Sequence, residues 1–154
     1  MRILLFVFIS IASMVSYAQN AVIPHDGLVC LYDDMFSEKP VRTIQQAGEL
    51  KYILRLTENS QFRFKVVYKF KNGCEYFERE AWIDKVNCAV YSCESKPGRI
   101  TIYSTPSLKS KKTHFDYIKD EPAYICDFTN DGWLFVVIPR NNVLIKGWIK
   151  HYTL

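Results

Sequence analysis

The sequence predicts an all-β protein made of two copies of one small module. Three observations carry this. Apolar residues alternate with polar ones instead of recurring at helical spacing, turn-forming residues punctuate the alternating runs, and the chain resembles itself at a fixed offset.

Alternation is clearest in two runs. QFRFKVVYKF, residues 61–70, places Phe62, Phe64 and Val66 on one side, and GWLFVVIP, residues 132–139, does the same with Trp133, Phe135 and Val137. Successive side chains of a strand point to opposite faces, so each run reads as a half-buried antiparallel strand. Lys71-Asn72-Gly73, Asn130-Asp131-Gly132 and Pro139-Arg140-Asn141-Asn142 supply residues that tolerate positive φ or start a turn. An offset of about 71 residues lays Val29, Leu31 and Tyr32 on Ile100, Ile102 and Tyr103, Leu54 on Ile125, Asn59 on Asn130, and Phe62, Phe64 and Val66 on Trp133, Phe135 and Val137. After a longer connection in the first copy, Ala81-Trp82-Ile83 matches Gly147-Trp148-Ile149. Each copy is expected to hold about five short strands, and a module of that size buries little surface alone, so the two are expected to pack against each other.

The chain opens MRILLFVFISIASMVSYAQN: one Arg, an uninterrupted apolar run, then Ser16-Tyr17-Ala18. That order reads as a secretory signal peptide cleaved after Ala18, and no later segment is apolar for long enough to span a bilayer. The expected organisation is therefore residues 1–18 as signal, 19–94 as the first module and 95–154 as the second, with Ser95-Lys96-Pro97-Gly98 as linker. No Cys follows the cleavage site to carry a lipid anchor, and a periplasmic or secreted location is expected. Loss of Arg2 lowers the formal charge from +4 to about +3, too weak an excess to point to nucleic acid.

Five cysteines remain, Cys30, Cys74, Cys88, Cys93 and Cys126, and an odd number leaves at least one thiol unpaired within the chain. Cys88 with Cys93 and Cys74 with Cys88 are the candidate pairs. Cys88 and Cys93 lack the spacing and the additional ligands of a zinc site.

Residues 99 to 154 resemble the bacterial SH3 domain family. The resemblance rests on the series Ile100-Thr101-Ile102-Tyr103, Ser104-Thr105-Pro106-Ser107, Tyr124-Ile125-Cys126, Asn130 to Val137 with its Gly132-Trp133 pair, and the closing Gly147-Trp148-Ile149 with its short tail. Ile102-Tyr103 stands where many members have Asn/Val-Arg, and Asp120-Glu121-Pro122 stands where many have Gly. Residues 27 to 87 are a more divergent copy, with Phe62 in place of the first Trp and Ala81 in place of the closing Gly. The resemblance implies two tandem small SH3-like β-barrels. It also implies that Trp148 and Trp82 are structural, each packed across the end of a sheet beside a Gly or Ala where the backbone bends. Trp133 begins a strand beside a turn, and both core packing and ligand contact are open to it.

The residues give little support to catalysis. A cysteine nucleophile needs a nearby base and an orienting group, and His25, His114 and His151 are scattered along the chain with no Cys at a helix start. The Cys-before-Ser-Gly motif of wall peptidases that accompany such modules is absent. The carboxylates of Asp33-Asp34 and Asp120-Glu121 are adjacent, so strand alternation would point each pair apart, away from the shared cleft a glycosidase needs. No enzyme activity and no cofactor or metal is expected.

Binding is the expected function. Lys109, Lys111 and Lys112 form the densest basic stretch, and Tyr103, Phe115, Tyr117, Trp133 and Tyr152 supply flat apolar area with polar tips nearby. These eight residues are the expected ligand-binding surface, with Tyr32, Phe36 and Phe62 as weaker counterparts in the first copy. The resemblance implies recognition of peptidoglycan peptide or glycan, or of an envelope protein, through a shallow groove. An inhibitor, immunity or assembly protein that captures one exported protein is the alternative, and a cysteine-dependent enzyme is a distant third.

Overall fold

The structure, a computed structural model, describes residues 19–48, 52–90, 99–116 and 121–150. The signal segment, the Ser95–Gly98 linker, Cys93, Tyr117 and Tyr152 lie outside the described residues, as does the candidate Cys88–Cys93 pair. Among the described residues twelve strands form: β1 (Gln19–Val22), β2 (Gly27–Leu31), β3 (Arg42–Gln46), β4 (Ile53–Asn59), β5 (Arg63–Asn72), β6 (Glu75–Asp84), β7 (Ala89–Val90), β8 (Arg99–Tyr103), β9 (Lys112–Asp116), β10 (Tyr124–Phe128), β11 (Trp133–Arg140) and β12 (Val143–Lys150). One 3-10 turn, Lys85–Asn87, separates β6 from β7, and no α-helix occurs among the described residues. The protein is all-β. The turns fall where their chemistry requires, with Asn141 and Asn142 both at positive φ between β11 and β12 and Gly73 at positive φ between β5 and β6.

Ten strands share one antiparallel sheet in the order β6-β5-β4-β1-β7-β10-β11-β12-β8-β9, and β2 pairs with β3 separately. Two separate barrels are not what this topology shows, and no closed barrel is formed among the described residues. The reason lies at the centre of the order. β7 follows the first module in the chain but pairs with β10 of the second, with Ile125 N–H donating to Cys88 O and Val90 N–H to Ala123 O, both at 2.9 Å. β1 lies between β4 and β7. An open strand edge is thereby satisfied by the neighbouring module.

Around this seam the two halves repeat. β4-β5-β6 with the β2–β3 hairpin corresponds to β10-β11-β12 with the β8–β9 hairpin. Tyr32 bridges Trp82 through a mutual pair of backbone hydrogen bonds of 2.9 and 2.8 Å, and Tyr103 pairs with Trp148 in the same way of joining hairpin to meander. Both halves carry a register shift at one place, between Leu56 and Glu58 and between Ile125 and Asp127.

The pairing corrects the expected alignment. Phe64 faces Ile83 as Leu134 faces Ile149, and Val66 faces Ala81 as Val136 faces Gly147. The counterparts of Phe64, Val66 and Tyr68 are thus Leu134, Val136 and Ile138, and all six are buried. Trp133 corresponds to Arg63, not to Phe62, and Leu56, not Leu54, corresponds to Ile125. Two length differences are the cause: the stretch from Ile44 to Leu56 is two residues longer than that from Phe115 to Ile125, and the turn before β11 is one residue longer than that before β5, with Ser60 N–H reaching Arg63 O and Thr129 N–H spanning to Trp133 O. A slip of one residue exchanges the faces of a strand, so Phe64 and Val66 line the core while Phe135 and Val137 lie on the opposite face. Phe62 falls in the turn at 70% exposure.

Residues from both halves, among them Leu31, Leu54, Phe64, Ile83, Ile125, Leu134 and Ile149, form one continuous core. Each such side chain contributes about 1.5–3 kcal/mol through burial. Gly147 is fixed by close approach: a Cβ there would lie 2.4 Å from Ile102 Cγ2 and 2.9 Å from Tyr103 O. The glycine is what lets β8 lie against β12.

Candidate functional site

Strand alternation splits the expected binding set between two faces. Tyr103 lies opposite Lys112 and faces outward, while Phe115, opposite Ile100, packs half-buried against the core in the place that Ile44 takes in the first half. Tyr103 meets Trp133 edge-to-face, with ring centroids 5.2 Å apart and planes at 86°. Trp133 itself is 3% exposed. Lys150 covers its far side, Nζ lying 5.2 Å from the ring centroid and donating to Asp131 O. Asp131 accepts from Thr129 Oγ1 at 2.5 Å, and this bond, aided by the Lys150 charge, holds its carboxyl below the usual range. Of the two uses open to Trp133, the geometry gives packing: the indole is enclosed and supports Tyr103 from below.

The other tryptophans divide differently from expectation. Trp82 is buried, as expected of a structural residue. Trp148 is only half-buried and packs edge-on against Phe135 at 5.4 Å on the outer face, so it does not fill the core.

Lys109, Lys111 and Lys112 are exposed and form no ion pair among the described residues. Their loop is internally pinned: Ser104 N–H donates to Lys111 O at 2.9 Å, Ser110 N–H to Ser107 O at 3.1 Å, and Ser110 Oγ to Thr105 O at 3.1 Å. A loop ordered before binding loses less entropy on binding. What the structure assembles in the second half is therefore Tyr103 with a basic loop, backed by a buried Trp.

Comparison with family models, with curated proteins and with solved structures returned no match.

The first half presents a counterpart that sequence reasoning only partly anticipated. Arg63 lies with its guanidinium carbon 3.4 Å from the Tyr32 ring centroid, the position that Trp133 takes on Tyr103. Arg63 also donates to Asp84 Oδ1 at 2.8 Å, Ser37 O at 2.8 Å and Asp34 O at 3.2 Å, gathering the β2–β3 loop beneath it. Asp34 Oδ1 in turn accepts from the backbone N–H groups of Phe36 and Ser37 at 2.6 and 2.7 Å. That folding leaves Phe36 at 84% exposure, with Met35, Asp33 and Glu38 exposed beside it. Burial, with Asp84 nearby, raises the Tyr32 pKa. Arg63 was missed because the 71-residue offset paired Trp133 with Phe62. The two length differences together, in the connection before β10 and in the turn before β11, are the signal that would have found it.

The four described cysteines, Cys30, Cys74, Cys88 and Cys126, are free thiols, so the candidate Cys74–Cys88 bridge is not formed. Cys74 is exposed at a hairpin turn, whereas Cys88 is in the core. Burial pushes the Cys88 thiol far up and raises that of Cys126 as well, with Lys85 opposing both. Neither is an activated thiolate. Among the described residues no group of three or more His, Cys, Asp or Glu side chains is placed to hold a metal ion, and no helix is long and apolar enough to cross a membrane.

Proposed function

We propose that the protein is an exported, non-catalytic binding protein of the cell envelope, whose halves are divergent SH3-like modules sharing one sheet. In this reading the β8–β9 loop of the second half contacts anionic wall polymer or its peptides through Lys109, Lys111 and Lys112, with Tyr103 as the adjoining flat surface. The observation that carries it is the pinned loop with three lysines that have no ion pair among the described residues. Exposed cations on an ordered loop add attraction for a polyanion that falls with salt.

Co-sedimentation with isolated cell-wall sacculi across a range of salt tests this reading. Binding that weakens with salt and is lost in the Lys109→Glu/Lys111→Glu/Lys112→Glu variant supports it, and absence of binding at low salt rejects it. Capture of a single exported protein, as an inhibitor, immunity or assembly factor, is the second reading. The ordered, exposed Phe36 loop in the first half favours it, because an apolar residue standing clear of a preorganised loop is a common anchor at protein interfaces. The two loops differ in charge and in apolar content, which argues against both halves gripping one repeating ligand.

A further inference from the structure

We propose that the outer face of β1, β4 and β5, bounded by β6, is a binding site for a monocarboxylate with an apolar body. A groove of about 500 Å³ lies there, within the size range of small-ligand sites. Ile53 and Val67 give it an apolar floor and Tyr52 an aromatic wall, and Ile53 is 46% exposed where a ligand would cover it. Asn20 and Arg55 lie side by side across β1 and β4, and Arg55 sits opposite Val67 on β5.

Charge selects the ligand class. Lys69 is paired with Glu78 at 3.6 Å, and Lys65 with Glu58 and Glu80 at 2.9 and 3.3 Å. Arg55 lines the groove and forms no ion pair or hydrogen bond among the described residues. One unspent guanidinium beside an apolar floor, with the neighbouring Lys69 and Glu78 paired to each other, is matched by one carboxylate, which its planar fork binds through two parallel hydrogen bonds. The Asn20 amide beside it is a donor for the same group, and Ile53, Val67 and Tyr52 supply contact for an apolar remainder.

The second half shows that the fold does not require this arrangement. The row Asn20, Arg55, Val67 corresponds by pairing to Ala89, Tyr124, Val137, and the Lys69–Glu78 pair corresponds to Pro139 and Leu144. Tyr124 meets His25 there with ring centroids 6.0 Å apart, so an aromatic contact stands where the first half has its guanidinium. Arg55 is therefore an addition particular to the first half. The site is separate from the β8–β9 loop, so the wall-binding reading and this one stand or fall independently.

The test is an NMR titration of the protein with N-acetyl-phenylalanine and with N-acetyl-phenylalaninamide, beside a tripeptide with free and with amidated C-terminus. The carboxylates are expected to shift the resonances of Asn20, Arg55 and Val67 and to bind about tenfold or more tightly than the amides. Arg55→Gln is expected to erase that difference without changing the melting temperature, and Arg55→Lys to keep part of it. Tighter binding of the free tripeptide than of the acetylated amino acid would identify the source as a peptide C-terminus, and equal binding a small acid. No shift with either carboxylate at millimolar concentration, or equal binding of acid and amide, overturns the proposal. So does Arg55→Gln binding the acid as the unaltered protein does. The Lys109→Glu/Lys111→Glu/Lys112→Glu variant is expected to titrate unchanged.

Discussion

Arg63 stacks on Tyr32 in the place where Trp133 meets Tyr103, so one position of a repeated module is filled by a cation in one half and an indole in the other. Both solutions cover the aromatic ring that joins hairpin to meander. The cation also organises a loop, which the indole does not.

That difference predicts that Arg63→Ala is costly. Its side chain is largely buried, and truncation leaves Asp84 unpaired and two loop carbonyls without their donor. A loss of about 2 kcal/mol or more is expected in urea denaturation, with faster proteolysis within residues 32–41. Arg63→Lys is expected to recover only part of this, because an ammonium lacks the planar fork.

The two tryptophans of the second half should rank opposite to their expected roles. Trp133→Ala is expected to cost about 3–5 kcal/mol, as for a fully buried aromatic. Trp148→Ala, from the half-buried outer face, should cost less than half of that. Equal losses in chemical denaturation would show that Trp148 is as much a core residue as Trp133.

At Gly147 any side chain meets β8. Gly147→Ala is expected to destabilise by about 1–3 kcal/mol through overpacking against Ile102 and the Tyr103 carbonyl, and Gly147→Val by more. The reverse change at the equivalent position, Ala81→Gly, should be milder, since it removes one buried methyl and forces no overlap. Thermal melts of the three variants check the order.

The buried Cys88 thiol sets an alkaline limit. Its pKa is raised in the folded state by burial, so it stays protonated while the unfolded chain ionises. Its contribution is complete below the unfolded thiol pKa of about 8.5 and is lost as pH rises, by about 1.4 kcal/mol per pH unit for one thiol. Cys126 adds to the same slope. Denaturation at a series of pH values between about 8 and 10 should show stability falling, and Cys88→Val should flatten the slope. In the native protein a thiol reagent should modify exposed Cys74 well before Cys88.

Much of the fold was legible because its signals are local. The alternation around Phe64 and Val66, the Asn141-Asn142 turn at positive φ and the equivalence of Tyr32 with Tyr103 and Trp82 with Trp148 all follow from short stretches. What was not legible depends on contacts distant in sequence. The burial of Trp133 depends on Tyr103 and Lys150, and the alternation that made its strand visible does not say which face is covered. The joining of the halves depends on β7, two residues long, and no pattern in Ala89-Val90 announces that it pairs with β10. The expected site was drawn from aromatic composition, and alternation then turned Phe115 inward and Tyr103 outward.

The seam formed by β1 and β7 also makes the halves unsuitable for separation. A fragment cut at the 94/95 boundary would carry the second half away without β7, leaving the backbone of Ile125 and Ala123 with no counterpart on that side. The remaining first half would keep β7 paired to β1 but with its other edge bare. Neither piece is expected to be a transplantable module: the repeat is visible in the pairing of the strands, but the sheet and the core belong to the pair.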